Sequence, residues 1–555
     1  MRRLKFLKYL ILIVGAVACD GNEPVVEEKV VTADPISPNR VAWDYTTLQK
    51  IAPLPGNTYD YTSYPRMIEL QDGDFMCVYE ANGNIDMIRS SDKGESWDQP
   101  VRIASLTANN ILMAVPEIIQ LANSNIIIAY NPRPLTPYSS DRKFAIAARI
   151  SSDNGSTWGD VQTIYEADHN ASNGCWEPQM MELPDGELQM YFANEADYVD
   201  SHEQNISMFR SSDGGVTWGD REIVSFSPTS RDGMPVALHL EETDEIIMAI
   251  EDNFQYNFKP VIIRTSDNWA NAPVGRDTPD REYALNHDLT SDAYQGAPYI
   301  RQLPSGNIAL SYQGTNGERD NSLPNSRMWV EIGDNTGRNF DNATKPFIVP
   351  TGKSALWSSL SVMDGRLWAL TATIAYSGTQ ETWTIAGYEI WDYKIPTEIN
   401  TENDPPFFIG HKGYSNVKTY LSQDASGLNI LARIKDSSIS VDNGVTFYLD
   451  PQNISAVTPV SNTYSIKVLS DGSYELKEGF NNKWESSSKT ARDLTVNQTD
   501  SGYEISFSLD WDIIGGKPAS EERIGFSMTL LETVYNEDLA NSVNNQPYTW
   551  ASAKL

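Results

Sequence analysis

Residues 176–195 read W-E-P-Q-M-M-E-L-P-D-G-E-L-Q-M-Y-F-A-N-E, and residues 211–218 read S-S-D-G-G-V-T-W. In the first stretch apolar and polar residues alternate on both sides of Leu183-Pro184-Asp185-Gly186. Alternation of period two across such a turn predicts two antiparallel strands. The second stretch gathers Asp213, Gly214, Gly215, Thr217 and Trp218, a composition suited to a tight turn. Asp and Thr side chains bond local amides, glycine supplies positive φ, and the tryptophan covers the turn from below.

Both halves recur along the chain. The pattern S-x-D-x-G-x-[ST]-W appears at Ser90–Trp97, Ser151–Trp158 and Ser211–Trp218, with a worn copy at Thr265–Trp269. The strand–turn–strand unit begins at Tyr64, Val115, Glu177, Met234, Ala297 and Trp357. Its second residues are Pro65, Pro116, Pro178, Pro235, Pro298 and Ser358, roughly sixty residues apart. Short strands at that period with glycine turns predict four-stranded blades, and six units predict a six-bladed β-propeller over residues 42–395. A single sandwich would not repeat its box at one position per unit.

This geometry says where chemistry can sit. In each unit the first strand runs down the central channel and the second returns, so the start of one and the end of the other share a rim. That rim carries Tyr64 to Arg66 and Glu80; Asn131 and Arg133; Trp176, Glu177 and Glu195; Arg231, Asp232 and Glu251; Tyr294, Gln295 and Tyr312; and Trp357. Carboxylates, arginines and aromatics around one opening suit a polar sugar pocket. A rim carboxylate taken at random is merely solvated. Glu177 differs because Trp176 and Pro178 flank it, and an apolar neighbour raises a carboxyl pKa by desolvation, as an acid catalyst requires. Glu251 ends the apolar run Ile246–Ile250 one blade later, so the two face one cavity from adjacent walls. Paired carboxylates across a sugar-sized cleft are the usual apparatus of glycosidases. Arg66, Trp176, Glu195, Arg231, Asp232, Tyr294, Gln295, Tyr312 and Trp357 are the candidate substrate-binding residues.

The eight-residue box resembles the Asp-box of bacterial neuraminidase repeats, which in that superfamily is structural and lies opposite the active site. The run from Trp176 to Glu195, followed by R-D-G-M-P-V and a strand ending in Glu251, resembles glycoside hydrolase family 93. That resemblance implies a sialidase-like six-bladed propeller and a retaining exo-α-1,5-L-arabinanase using two glutamates. Glu177 then matches the general acid/base and Glu251 the nucleophile, with carboxyl groups ~5–5.5 Å apart. A true sialidase fits less well. Arg66 falls near the first arginine of the sialidase triad, but the other two cannot be placed. Trp357 stands where a sialidase carries its nucleophilic tyrosine, and an indole cannot attack an anomeric carbon. The loop after Glu80 is also short for the sialidase acid. Tyr294 and Tyr312 remain candidates to support the nucleophile.

The ends of the chain differ in character. Arg2, Arg3, Lys5 and Lys8 precede the apolar run Tyr9–Val17, and Ala16-Val17-Ala18 leads to Cys19. The run is too short to span a membrane and reads as a signal region. Small residues before Cys19 resemble a bacterial lipoprotein signal over residues 1–19, implying lipidation of Cys19 and an envelope protein held at the outer membrane or cell surface. Residues 20–41 read as an acidic linker. A second, Pro-rich linker spans 396–406, and alternating strands over 407–555 predict a β-sandwich. The order V-T-F-Y-L-D-P, S-D-G, Y-E-I-S-F-S-L-D-W resembles carbohydrate-binding module family 9, with Trp484, Trp511 and Trp550 as candidate stacking surfaces.

Composition narrows the field. Lys and Arg number 42 against 75 Asp and Glu, a formal net charge of −33 that repels nucleic acid. Cys77 and Cys175 make no disulfide framework, and three cysteines with five histidines argue against zinc. The expectation is a monomeric, lipid-anchored exo-glycosidase for plant-type α-L-arabinan or a related neutral glycan, needing no cofactor or metal. The alternatives are a non-catalytic glycan-binding lipoprotein and a sialidase-type exo-glycosidase.

Overall fold

The computed structural model describes residues 28–33, 39–254, 257–286, 292–390, 393–401, 407–410, 415–519, 522–532, 536–539 and 542–555. Cys19, most of the first expected linker and residues 402–406 of the second lie outside the described residues. Contacts divide the chain into two compact units, Leu48–Ala386, and Gly387–Leu555 together with the residues before Leu48.

The architecture is all-β. Six four-stranded antiparallel sheets form the blades of a propeller. The inner strands are Thr62–Glu69, Ile111–Gln120, Cys175–Glu182, Asp232–Leu240, Gln295–Gln302 and Ala355–Met363, in blades I to VI. Each inner strand touches the next, and blade VI touches blade I, so the ring is closed. Blade VI takes its outermost strand, Val41–Ala52, from the N-terminal side of the propeller. The two ends of the repeat are thereby joined in one sheet, which leaves no unpaired gap in the ring.

Every inner strand carries the same irregularity. Tyr64, Val115, Glu177, Met234, Ala297 and Trp357 all have positive φ, between 46° and 54°. At each, the pairing slips by one residue: Ser63 faces Glu80, but Arg66 faces Val78. The same slip occurs between Ala114 and Glu117, Trp176 and Gln179, Gly233 and Val236, Gly296 and Tyr299, and Leu356 and Ser359. Each is a β-bulge, and in five blades the residue that follows it is proline. Proline disfavours the right-handed helical region for the residue before it. A left-handed non-glycine residue costs roughly 1 kcal/mol, so six at one register mark a built feature.

The boxes lie between the third and fourth strands of their blades, after Ser90, Ser151 and Ser211. The third strand runs away from the bulged end, so the boxes occupy the opposite face. In blade III the Ser211 hydroxyl meets Asp213 at 2.8 Å, and Asp213 accepts the Thr217 amide at 2.9 Å and its hydroxyl at 2.6 Å. The same bonds repeat around Asp92 and Asp153. Hydroxyls of Ser96, Thr157 and Thr217, with the amides beside them, hold these three aspartates at about 2. The worn copy keeps the Thr265–Asp267 bond at 2.6 Å but sinks Trp269 into the core, where its indole meets the Tyr191 hydroxyl at 3.0 Å.

The C-terminal unit contains a five-stranded and a seven-stranded antiparallel sheet. Phe447, Phe507, Leu509, Phe526 and Met528 from both sheets share one core, as in a sandwich. Trp511 and Trp550 are buried, so neither is free to stack on a sugar. Trp484 is half-buried and lies parallel to Trp550 at 6.3 Å, with its indole bonded to Asn545. Residues 28–33, part of the expected linker, are tied to this unit. Glu28 accepts the amides of Ser461 and Asn481, and Thr32 bridges Ala456.

Residues 42–395 are expected to unfold in one cooperative thermal transition when expressed alone. A chain begun at Leu54, lacking the closing strand, is expected to lose that transition, as followed by near-ultraviolet circular dichroism.

Candidate active site

The bulges aim one backbone position per blade at the channel, and five of the six carry no charge. Tyr64, Val115, Met234 and Trp357 pack together with Ala114 and Leu112, and Tyr64 stacks on Trp357 at 5.0 Å. Glu177 is the ionisable exception with a carboxyl group. Beneath this ring the channel is filled: Arg66 faces Glu117 at 3.3 Å and lies over the Tyr299 ring at 4.9 Å. The space left there is only about 10 Å³. The bulged end is therefore a pocket with a floor, not a through channel.

Three carboxylates stand above that floor. Burial pushes Glu177 above the ordinary carboxyl range of 4.5, against the pull of Arg133, whose guanidinium lies 3.3 Å away. Arg133 also covers the Trp176 face at 4.8 Å and bonds Asn131 at 2.6 Å. Burial likewise raises Glu195 to about 7, although Arg231 at 2.5 Å and the Trp176 indole at 3.1 Å favour its charge. Glu251 is raised to about 7 by burial, opposed by its bond to the Ala297 amide at 2.8 Å; Glu177 raises it further. No cation pairs with Glu251 among the described residues. The influence of Glu177 on Glu251 places both in one electrostatic site.

Two glycines make room for Glu251. A Cβ on Gly296 would fall 2.6 Å from Glu251 Oε2 and 2.5 Å from the Tyr294 hydroxyl. A Cβ on Gly233 would fall 3.3 Å from Glu251 Oε1. Each glycine immediately precedes a bulge, so backbone shape and carboxylate placement are one construction.

Several expected rim residues lie elsewhere, for one reason. Side chains alternate across a strand, so when Gly233 and Glu251 face the pocket, Asp232 and Asp252 face away. Asp232 is fully buried in an ion pair with Arg281 at 2.6 Å, which also holds Asp252 at 2.7 Å. Gln295 and Tyr312 flank the pocket-facing pair Gly296 and Gln313 in the same way. Gln295 is buried against Asn316 at 2.8 Å, and the buried Tyr312 hydroxyl donates to Glu331 at 2.7 Å. Tyr312 therefore does not support Glu251, whereas Tyr294 stands beside it. Arg66 is in the channel below the floor, as described above. Trp176, Glu195, Arg231, Tyr294 and Trp357 do gather at the pocket with Glu177 and Glu251.

Arg133, expected on the rim but not among the candidate binding residues, lies at the pocket, and so do Gly233, Gly296 and Gln313, which the sequence did not single out. The signal that finds Gln313 is its register. Glu80, Glu251 and Gln313 all pair with the residue before a bulge, and each receives the bulge amide of the following blade.

A larger cavity, about 870 Å³, opens at the opposite mouth near Gln71, Gln120, Met181 and Gln302. It holds carboxylates, but Glu182 there is engaged by the Ala122 amide. Convergent carboxylates, arginines and an indole are at the bulged end, and convergence is what chemistry requires, so the pocket there is the candidate site.

Comparison with known proteins supports the fold in part of the chain. Residues 75–234 match the model of a BNR repeat-like domain. An anhydrosialidase of Macrobdella decora is 25% identical over 234 residues, covering 40% of this chain and 28% of that protein. The match thus spans little more than a quarter of that relative. Among solved structures, a Penicillium chrysogenum α-L-arabinanase complexed with arabinobiose is 19% identical, covers 63% of this chain and 98% of its own, and has a TM-score of 0.47. A GH93 α-L-arabinofuranosidase of Fusarium graminearum with arabinobiose is 18% identical, with 64% and 98% covered and a TM-score of 0.45. A sialidase from Streptococcus pneumoniae is 12% identical, with 62% and 71% covered and a TM-score of 0.45. The BNR repeat-like character is shown for residues 75–234, and the six sheets of this chain establish the propeller.

Proposed function

We propose that the protein is a retaining exo-acting glycoside hydrolase for a neutral glycan, with plant-type α-L-arabinan the first substrate to test. The observation that carries this reading is the pair Glu177 and Glu251, both raised by burial, facing one floored pocket. Two coupled carboxyl groups hold one proton between them over a range where one is acid and the other base. Arg133, in direct contact, favours charge on Glu177, whereas Glu251 has a backbone amide and the more distant charge of Arg231. A sugar that displaces Arg133 from the Trp176 face would reverse that preference. Glu177 then donates to the leaving oxygen and Glu251 attacks the anomeric carbon, as the sequence resemblance implies.

The arginines speak to substrate charge. Arg66, Arg133 and Arg231 each already face a carboxylate: Glu117, Glu177 and Glu195. A sialidase-type reading needs guanidinium groups left for a substrate carboxylate, and these are internally neutralised. A glycan-binding protein without turnover needs no coupled pair of raised glutamates. Product release from linear arabinan, set against binding without release, separates the two classes.

Replacing Glu251 with Gln is expected to reduce hydrolysis to background on every substrate. Replacing Glu177 with Gln should cost about 10²–10⁴-fold on the glycan and far less on substrates with activated leaving groups, measured by initial rates. Full activity in both variants would move the site.

Stability should depend on pH with a defined sign. Glu251 binds its proton more tightly folded than unfolded, so its contribution is complete below about 4.5 and is lost as pH rises through about 7. Glu195 acts in the same direction. Unfolding free energy should therefore fall by about 1–3 kcal/mol from these groups between pH 5 and 8. Glu251→Gln should flatten that slope in denaturant titrations.

The lipid anchor at Cys19 and envelope location rest on sequence alone, as does glycan recognition by the C-terminal unit. Detergent partition and a lipid-bearing N-terminal peptide at Cys19 in mass spectra are the expected results; an unmodified mature N-terminus elsewhere would end the anchor proposal.

A further inference from the structure

Gln313 is fully buried at the end of the strand Ile308–Gly314, opposite Gly296. Its Oε1 accepts the Trp357 amide at 2.8 Å. An amide N–H can only donate, so the oxygen end of Gln313 must face Trp357 and the NH₂ end must face away. That end donates to the Tyr294 hydroxyl, also at 2.8 Å. With its oxygen thus occupied as acceptor, Tyr294 directs its own proton away from Gln313. Glu251 Oε2 and the Tyr294 hydroxyl flank one point above Gly296, 2.6 and 2.5 Å from where a Cβ would stand, and the carboxylate acts on the hydroxyl through its charge with no direct hydrogen bond between them.

Gln313 differs from its counterparts in one respect. Glu80 and Glu251 receive the bulge amides of Val115 and Ala297 with carboxylates, which accept on both oxygens when ionised. A carboxylate would do the same for Trp357. What a carboxylate cannot do is donate to Tyr294. The amide at 313 therefore serves something besides the bulge.

We propose that Gln313 is a positioning residue of the site, which orients the Tyr294 hydroxyl so that it donates toward Glu251. This rests on Glu251 being the reacting carboxylate. Two hydrogen bonds join the Trp357 bulge, the Gln313 amide and the Tyr294 hydroxyl across blades V and VI, and Glu251 of blade IV lies beside that hydroxyl within its electrostatic reach. Held this way, Glu251 meets the positive end of the Tyr294 hydroxyl in addition to the Ala297 amide, which stabilises its ionised form. The floor of the pocket and the state of its carboxylate are then coupled through a single side chain.

The test is a double-mutant cycle on the full chain: Gln313→Met, Tyr294→Phe and both together. The primary readout is the titration of the Glu251 carboxyl by ¹³C NMR, assigned against Glu251→Gln. Each single variant is expected to raise the Glu251 midpoint by roughly half a pH unit or more, and the double variant no further than Tyr294→Phe alone. Where turnover is measurable, kcat should fall about tenfold with KM changed less than about twofold in each single variant. A Gln313 that only caps the bulge would shift Glu251 equally in both Tyr294 backgrounds, or not at all, and either result overturns the proposal. Gln313→Glu is the rescue control. It should recover the melting temperature lost in Gln313→Met, because a carboxylate accepts the Trp357 amide, but not the Glu251 midpoint. If Gln313→Met does not fold, Gln313→Glu enters the cycle under the same criterion, since its added charge acts in both backgrounds and cancels. A wild-type chain that shows this coupling yet releases no sugar would overturn the hydrolase reading and leave the hydrogen-bond chain standing.

Discussion

A backbone amide turned inward by a bulge must find an acceptor, and for three of the six bulges the preceding blade supplies it. Glu80 receives Val115, Glu251 receives Ala297, and Gln313 receives Trp357. Burying such an amide without a partner costs about 1–3 kcal/mol, so the acceptor is part of the fold before it is part of any chemistry. Glu251 thus stands in a position the architecture already requires to be polar. A carboxylate there satisfies the amide and brings an oriented oxygen to the pocket, at the desolvation cost that raises Glu251.

The electrostatics follow from the same arrangement. Six bulges push residues toward the axis, and most of these are apolar, which dries the floor and raises Glu177. Arginines enter from the ends of second strands and from the linking segments, where Arg133 meets Glu177 and Arg231 meets Glu195. Among the described residues Glu251 alone of the three has no ion-pair partner, Arg231 acting on it only from a distance. The pair Glu177 and Glu251 therefore sits in two different fields. Outside the pocket the chain carries a large negative charge, which has no bearing on this local balance.

The boxes and the pocket divide the blade between them. Hydroxyls of Ser211 and Thr217 close a turn on Asp213 at the outer, far end. The box turn is closed within a single blade, although side chains around it also join neighbouring blades, as Asn154 joins Asp72 and Glu182 joins the Ala122 amide. The pocket end is bonded between blades, through Glu251 to Ala297 and Gln313 to Trp357. Local motifs recur clearly in a sequence because one turn specifies them. Contacts between blades recur only by position, and their residue types vary.

That contrast sets what could be read without coordinates. Repetition of the box and of the X-Pro strand start determined six blades, their order and the face opposite the boxes, because each depends on a few consecutive residues. The pairing of Glu177 with Glu251, and the presence of Trp176, Glu195 and Arg231 beside them, followed from the same period. The bulge did not follow. It inserts one residue per inner strand, and strand alternation then decides which neighbours reach the pocket. Asp232, Gln295 and Tyr312 sit one residue from pocket-facing positions and point into the spaces between strands. Gly233, Gly296 and Gln313 take the places expected of them. Side-chain direction in a strand reverses with every residue, so a one-residue slip that only tertiary pairing reveals exchanges the two sets.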